Sequence, residues 1–281
     1  MNDIYEKISD SLPRMSKSQL KIAHHILDNK HTVPFFTVGK MAKMAGVSEA
    51  TVVRFAGFLG LAGYPRLQQL LQDALRKQLT TVDRLDLSEQ VYTEEDHGIY
   101  EIFQDDIANI KATVESLDAE ALRQTVAALL KANRIYIAAN RSAVSLGVFL
   151  EYYLGMIIGN TRSLPSAESA IDQLNPLGPE DVVIGISFAR YTSSTIQTFA
   201  YAKEAGAVTV AITDNRLSPL VEYAQISLTA STRIPTIIDS FVAPLSLINA
   251  LIILVGKAQG EALYERLHQL EQAWDRFDIF L

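Results

Sequence analysis

Residues 38–57 read VGKMAKMAGVSEATVVRFAG, and this stretch constrains the fold more tightly than any other in the chain. Two short helices that cross closely need a small residue where they touch, and Ala42 supplies it. Four residues later the connecting turn needs a residue that tolerates a left-handed backbone, and Gly46 supplies that. Ser48 stands where the second helix needs an N-cap. Met41, Ala45, Val47, Val52 and Phe55 fall at the spacings that point into a small shared core. Met together without a gap, these conditions describe a helix-turn-helix.

In such a motif the second helix, Ser48 to about Leu59, enters a DNA major groove by its N-terminal end. The outward positions are then Ser48, Glu49, Ala50, Val53 and Arg54. Arg54 can make a bidentate contact to guanine or hold a phosphate. Thr51 can reach a phosphate or pack, and Glu49 can accept from a cytosine amine or fix Arg54 in place. Lys40 and Lys43 on the first helix suit contacts to the DNA backbone.

The surrounding chain agrees. Ile4, Ile8 and Leu12 recur at helical spacing until Pro13 stops them, and Ser16 is placed to cap a helix carrying Leu20, Ala23, Ile26 and Leu27 on one face. Pro34 is expected to end that helical region, and Pro65 to open another running to about Leu79. Residues 1–79 hold 11 Lys or Arg against 6 Asp or Glu, whereas the whole chain carries a net charge of -7. A basic head on an acidic body suits a head that binds phosphates and a body that does not.

Residues 80–98, TTVDRLDLSEQVYTEEDHG, carry six acids and one base without sustained apolar periodicity, and read as a linker with at most a short helical piece. Helix resumes over 99–131, with Ile99, Ile102, Phe103, Ile107 and Ile110 in one stripe and Asp118 placed to cap a second segment. From Asn133 the pattern changes. RIYIAA (134–139), DVVIGIS (181–187) and AVTVAIT (207–213) are short apolar runs, with a further candidate at 226–229; helical segments are expected at about 142–158, 167–174 and 192–205. Strands that alternate with helices and are apolar on both faces predict a parallel sheet covered on both sides. The region from Ser240 to about Phe277 reads as one long helix or two. The expected fold is thus an all-α domain at 1–79, a linker at 80–98, and an α/β three-layer sandwich with a parallel sheet at 99–281.

In an open sheet of this kind ligands bind at the carboxyl ends of the strands, against helix N-termini. Two loops qualify. One carries Asn140, Arg141 and Ser142; the other carries Ser187, Arg190, Tyr191 and Thr192. Hydroxyls and helix-start amides can wrap an anion, and each arginine can add a bidentate pair. The same hydroxyls can equally be helix caps. No catalytic residue is expected: none of His24, His25, His31, His97 and His268 lies in a strand-end loop, and Glu168 and Asp172 read as a solvated helix face. No cysteine is present, no metal-ligand spacing is visible, and no cofactor is expected. The opening MNDIYEKISDSL has no apolar signal-like core, and the run 241–255 reads as a buried core helix, not a membrane span. A cytoplasmic protein is expected.

The stretch MAKMAGVSEATVVRFAGFLGLAGYPRLQQLL resembles the DNA-binding domain of the RpiR (MurR/RpiR) family of bacterial regulators, and DVVIGISFARYT, AGAVTVAITDNRLSPLVEYAQISL and DSFVAPLSLINALI resemble the sugar isomerase (SIS) domain those regulators carry. The resemblance implies a transcriptional regulator whose partners are double-stranded operator DNA and a phosphosugar effector, and a homodimer or homotetramer. Two loops depart from the family pattern. Where Gly-x-Gly-x-Ser is usual, the chain has Ala138-Ala139-Asn140-Arg141-Ser142; where Ser-x-Ser-Gly-x-Thr is usual, it has Ser187-Phe188-Ala189-Arg190-Tyr191-Thr192. Lost glycines limit backbone approach and gained arginines add positive charge, so a phosphosugar and an organic acid both stay open as the sensed anion. The competing class is a sugar-phosphate isomerase with an accessory helical domain.

Overall fold

The structure is a computed structural model that describes residues 4–76, 80–91, 95–164, 176–234 and 236–280. Residues 77–79, the helix expected at 167–174, and Glu168 and Asp172 lie outside the described residues. The chain divides into two compact units, one of 1–105 with 233–239 and one of 106–232 with 240–281.

The first unit opens with five helices: α1 (Ile4–Ser11), α2 (Lys17–Asp28), α3 (Val38–Ala45), α4 (Glu49–Phe58) and α5 (Tyr64–Arg76). Their apolar faces meet in one core of Ile8, Ile22, Ile26, Met41, Val52, Phe55, Leu67 and Leu71, all fully buried. Pro13 sits in a 3-10 turn over Leu12–Arg14 that follows α1. Ser16 forms a reciprocal capping box with Gln19 at the start of α2. That helix ends at Asp28, earlier than expected. Pro34 lies instead in a separate 3-10 turn, Val33–Phe35. Residues 34–36 leave carbonyls outside any helix, and side chains of α5 satisfy them. The Tyr64 hydroxyl donates to Phe36 O at 2.8 Å, Gln68 Nε2 to the same oxygen at 3.0 Å, and Gln72 Nε2 to Pro34 O at 3.0 Å. Burial pushes the Tyr64 pKa up, so its hydroxyl stays a neutral donor.

The segment expected as a linker is largely helical. Helix α6 spans Thr81–Val91 and α7 spans Glu95–Glu115. Acids conceal α6 from a search for apolar periodicity, but Thr80 and Asp83 give it a capping box: Thr80 N donates to Asp83 Oδ2 at 2.7 Å and Asp83 N to Thr80 Oγ1 at 3.2 Å.

The second unit is a three-layer sandwich. Its strands are β1 (Arg134–Ala139), β2 (Thr161–Leu164), β3 (Asp181–Ile186), β4 (Val208–Thr213) and β5 (Ile226–Thr229). All neighbours pair parallel, in the order β2-β1-β3-β4-β5. Helices α8 (Ala119–Lys131), α9 (Val144–Ile157) and α11 (Val242–Gln259) share one core with Ile135, Ile137, Ile184, Ile186, Val210 and Ile212. Tyr136, Ala138, Val183 and Ala211 face the other way and pack with Phe199 and Ala202 of α10 (Ser193–Glu204). Alternate residues of one strand thus enter different cores, which is why the strands read as continuously apolar. Asp118 caps α8, accepting from Ala121 N at 3.0 Å.

Strand β2 was not expected. Its sequence TRSL has no apolar run, and it is an edge strand whose outward groups need no strand partner; Ser163 N donates instead to Glu151 Oε1 at 2.9 Å. The C-terminal region is two helices, α11 and α12 (Glu261–Arg276), meeting at Gly260. Helix α11 is long and apolar enough to cross a membrane, but Ala243, Leu247, Ile248, Leu251 and Val255 are buried in the sheet core.

At the amino ends of the strands, Arg134 forks onto Asp181, with Nε–Oδ1 at 2.9 Å and Nη2–Oδ2 at 2.6 Å, and Gly178 N adds a bond to Oδ2 at 2.9 Å. Burial pushes the Asp181 pKa up. The Arg134 guanidinium and the Gly178 amide together outweigh it and hold the carboxyl below its usual range. A depressed carboxylate stabilises the fold above its unfolded pKa, about 3.9, and loses that contribution as pH falls through the folded value. Asp181→Asn should therefore lower the urea midpoint at pH 7 and differ progressively less from wild type as the pH falls below about 4. A gap that stays constant with pH would remove the charge from the account.

Candidate functional sites

Helix α3 starts at Thr37, whose hydroxyl accepts from Lys40 N at 3.1 Å. It stops at Gly46, whose φ of 64° and ψ of 46° are left-handed. Val47 N reaches back to Ala42 O at 3.0 Å and closes the turn. Ala42 is buried where the helices cross, as are Met41, Val52 and Phe55, while Ala45 and Val47 are half-buried against the same core. The spacing rules of the motif are thus realised atom by atom.

Ser48 caps α4, accepting from Thr51 N at 3.3 Å. The two hydroxyls lie 2.9 Å apart, and Arg54 Nη2 donates to Thr51 Oγ1 at 3.2 Å. Ser48, Thr51 and Arg54 therefore form a hydrogen-bonded row along the outer face of α4, in which Thr51 is half-buried and Ser48 and Arg54 are exposed, as are Ala50 and Val53. The orienting partner of Arg54 is Thr51. The exposed Glu49 turns its carboxylate over Gly39, where a Cβ would meet Oε1 at 2.9 Å. Lys43 is exposed, whereas Lys40 is half-buried with its ammonium 4.8 Å from the Phe36 ring centroid.

The second candidate site lies where β1 and β3 run side by side, with Ala139 opposite Ile186. Strand order reverses between them, which is the switch point where open sheets take ligands. Asn140 Nδ2 donates to Thr195 Oγ1 at 2.9 Å and ties the loop after β1 to the first turn of α10. Ser187 is buried; its hydroxyl accepts from Thr192 N at 3.4 Å, so it braces its own loop. The Tyr191 hydroxyl donates to Asp214 Oδ1 at 2.8 Å, and Asn215 Nδ2 lies 3.3 Å from it. Burial, then the Asp214 carboxylate, pushes the Tyr191 pKa up and keeps the phenol protonated. Thr213 Oγ1 lies 2.7 Å from Ser187 O and 2.8 Å from Ser218 Oγ. Thr213, Asp214, Asn215 and Ser218 were not singled out from sequence, although Thr213 ends the apolar run 207–213 and the others follow it, so that they had to reach the same carboxyl edge.

Two features bear on what this edge can do. The first turns of α9 and α10 have no side-chain cap: neither Ala143 nor Thr192 closes its helix, and Asn140 does not cap the 3-10 turn of Arg141–Ala143. The hydroxyls that sequence alone leaves as candidate caps do not cap these helices. Second, Arg141 and Arg190 have φ of 56° and 65°, left-handed values that a long L side chain rarely adopts. Both are exposed, as is Ser142. Helix α9 approaches β1 closely because Gly147 has no side chain; a Cβ there would lie 3.0 Å from Ala139 Cβ.

Comparison with known proteins finds two matches within the chain. Residues 2–78 match the helix-turn-helix domain of the rpiR family, and residues 128–254 match the SIS domain. An uncharacterized HTH-type transcriptional regulator of Haemophilus influenzae is 30% identical over 227 residues, covering 79% of this chain and 77% of its own. The sugar isomerase domain of an RpiR transcription factor from Sphaerobacter thermophilus is 28% identical with a TM-score of 0.59, covering 62% of this chain and 97% of that one. The Vibrio vulnificus NanR protein, solved with ManNAc-6P, is 20% identical with a TM-score of 0.58 and covers 98% of both chains.

Left-handed backbone costs an L residue about 1–2 kcal/mol, and glycine returns about 0.5–1 kcal/mol of that as chain entropy. Arg141→Gly should therefore stabilise the ligand-free protein by about 0.5–1 kcal/mol in urea unfolding followed by circular dichroism. A destabilised variant would mean that the Arg141 side chain itself holds the loop.

Proposed function

Because this chain belongs to the rpiR family of helix-turn-helix transcriptional regulators with a C-terminal SIS domain, we propose the following division of labour among its residues. Residues 1–79 form the DNA-binding domain, 80–98 the connector and 99–281 the sensing domain. Helix α4 enters the major groove of operator DNA with Ser48, Glu49, Ala50, Thr51, Val53 and Arg54 on the contacting side. Arg54 reads a base edge, oriented by Thr51, and Lys40 and Lys43 hold the phosphate backbone. The observation that carries this reading is the bonded row Ser48–Thr51–Arg54 on the outer face of a capped helix.

The sensed molecule is a small anion, a phosphosugar or an organic acid, held at the β1–β3 switch point. The uncapped starts of α9 and α10 and the two strained arginines support this reading, with Asn140, Ser142, Ser187, Tyr191 and Thr192 shaping the loops. The phosphosugar bound by the NanR protein is consistent with it. The domain binds its ligand and does not turn it over, and the protein works in the cytoplasm. It pairs with a second copy. Val144, Val148 and Tyr152 stand exposed at four-residue intervals along α9, an apolar stripe suited to a symmetric interface.

Selection of duplexes from a random-sequence library, followed by mobility-shift titration, tests the DNA assignment. Arg54→Ala should cost about 1–3 kcal/mol on the selected duplex and relax specificity at one position. Lys43→Ala should weaken all duplexes alike and flatten the salt dependence. Equal binding by wild type and Arg54→Ala would sink the base-reading role. A thermal-shift screen of phosphosugars and small organic acids tests the sensor, since a ligand at 100 times its dissociation constant adds about 2.7 kcal/mol. Arg141→Ala and Arg190→Ala should each abolish the effect of the screened ligand on DNA binding while leaving ligand-free DNA binding intact. Normal responses in both would place the ligand elsewhere.

A further inference from the structure

Helix α6 makes unusual use of a charged residue. Among its described side chains only Arg84 and Ser88 are not exposed, and Val82 and Leu85 stand in solvent. The guanidinium of Arg84 fastens it: Nε donates to Thr236 O at 2.7 Å, and Nη2 to Ile238 O at 2.7 Å and Asp239 Oδ1 at 2.9 Å. The Arg84 and Asp239 side chains are only 12% and 14% exposed. A planar fork of donors can serve three acceptors on one strand of chain in a way that an ammonium cannot.

The segment so held belongs to the connection between β5 and α11. This connection leaves the sheet at its carboxyl edge, the edge that carries the candidate ligand loops after β1 and β3. Its two flanks are fastened as well, both to α7. Ser231 N donates to Thr113 Oγ1 at 2.9 Å, the Ser231 hydroxyl bonds Asn109 Oδ1 at 2.6 Å, and the Ser240 hydroxyl bonds Asp106. The connection is thus bonded at its start, middle and end to the helices that follow the DNA-binding domain in the chain.

We propose that Arg84 is the positioning residue through which the carboxyl edge of the sheet and the DNA-binding helices influence one another. The proposal rests on the reading of the chain as a ligand-sensing DNA-binding regulator. The β5–α11 connection is the element that an occupied site displaces, and α6 follows it because the Arg84 fork binds its backbone carbonyls directly. Linkage is reciprocal, so DNA binding must change the connection as surely as a ligand must change DNA binding.

Reciprocity allows a test with DNA alone. The full chain is mixed with a duplex that the wild type selects from a random library, and backbone hydrogen exchange is followed. In the wild type, the duplex slows exchange at 38–59 and changes it at 231–240 by at least about fivefold, the low end of ordinary coupling. In Arg84→Ala the protection at 38–59 remains and the change at 231–240 disappears. Arg84→Lys, which keeps the charge and loses the fork, behaves like the alanine variant, while Asp239→Asn, which spares both carbonyl bonds, keeps a reduced response. Equal exchange of 134–139 and 181–186 in all four proteins shows that the sheet is intact. If 231–240 responds fully in Arg84→Ala, or fails to respond in a wild type protected at 38–59, the coupling is overturned and the DNA reading stands. If the wild type shows no protection at 38–59, the DNA reading fails and the coupling with it.

Discussion

Everything at the carboxyl edge of the sheet depends on β1 and β3 being parallel neighbours. A parallel pair cannot be joined by a tight turn, so each strand must hand the chain to a crossover on a face of the sheet. Both strands therefore end at the same edge, with Ala139 beside Ile186. The loops that follow are forced into proximity, close enough for Asn140 to bond Thr195. Helices α9 and α10 then start side by side on opposite faces, since α9 packs with Ile135 and Ile137 while α10 packs with Tyr136 and Ala138. The starts of two helices that lack a side-chain cap are brought to one place by strand order.

How much of this could be read from the sequence follows from the range of each constraint. The helix-turn-helix was legible because its requirements lie within twenty residues: Ala42, Gly46 and Ser48 meet local demands of backbone and packing. Strands β1, β3 and β4 were legible because burial on both faces leaves no polar alternation. Strand β2 was not, since an edge position lets Thr161, Arg162 and Ser163 stand where a central strand would need apolar residues. Helix α6 reads as linker because the partners of Arg84 are 152 to 155 residues away, at Thr236, Ile238 and Asp239. At the site, the two loops were identifiable from position. That Ser187 turns inward and Asn140 bridges was not, because Thr195 and Thr213 decide it from across the sheet edge.

One habit recurs in both units: where the backbone leaves regular structure, a long polar side chain on a helix or strand satisfies its carbonyls. Tyr64, Gln68 and Gln72 do so for residues 34 and 36. Arg84 does so for 236 and 238, and Arg266 for Gly155 and Met156 at the end of α9. Arg134 does so for Pro176. Buried carbonyls left without partners carry the full cost of desolvation, so these side chains decide which irregular segments are fixed in place. The irregularity is specified as closely as the helices are.

The bond between Ser163 and Glu151 has a consequence for how copies of the protein can meet. An edge strand offers unpaired amides to any passing chain, and open edges are templates for aggregation. At β2, the amide of Ser163 is occupied by a carboxylate from α9. A strand arriving there would have to displace that bond and leave a negative charge facing its own carbonyls. The sheet is thus discouraged from continuing into a neighbour at this edge.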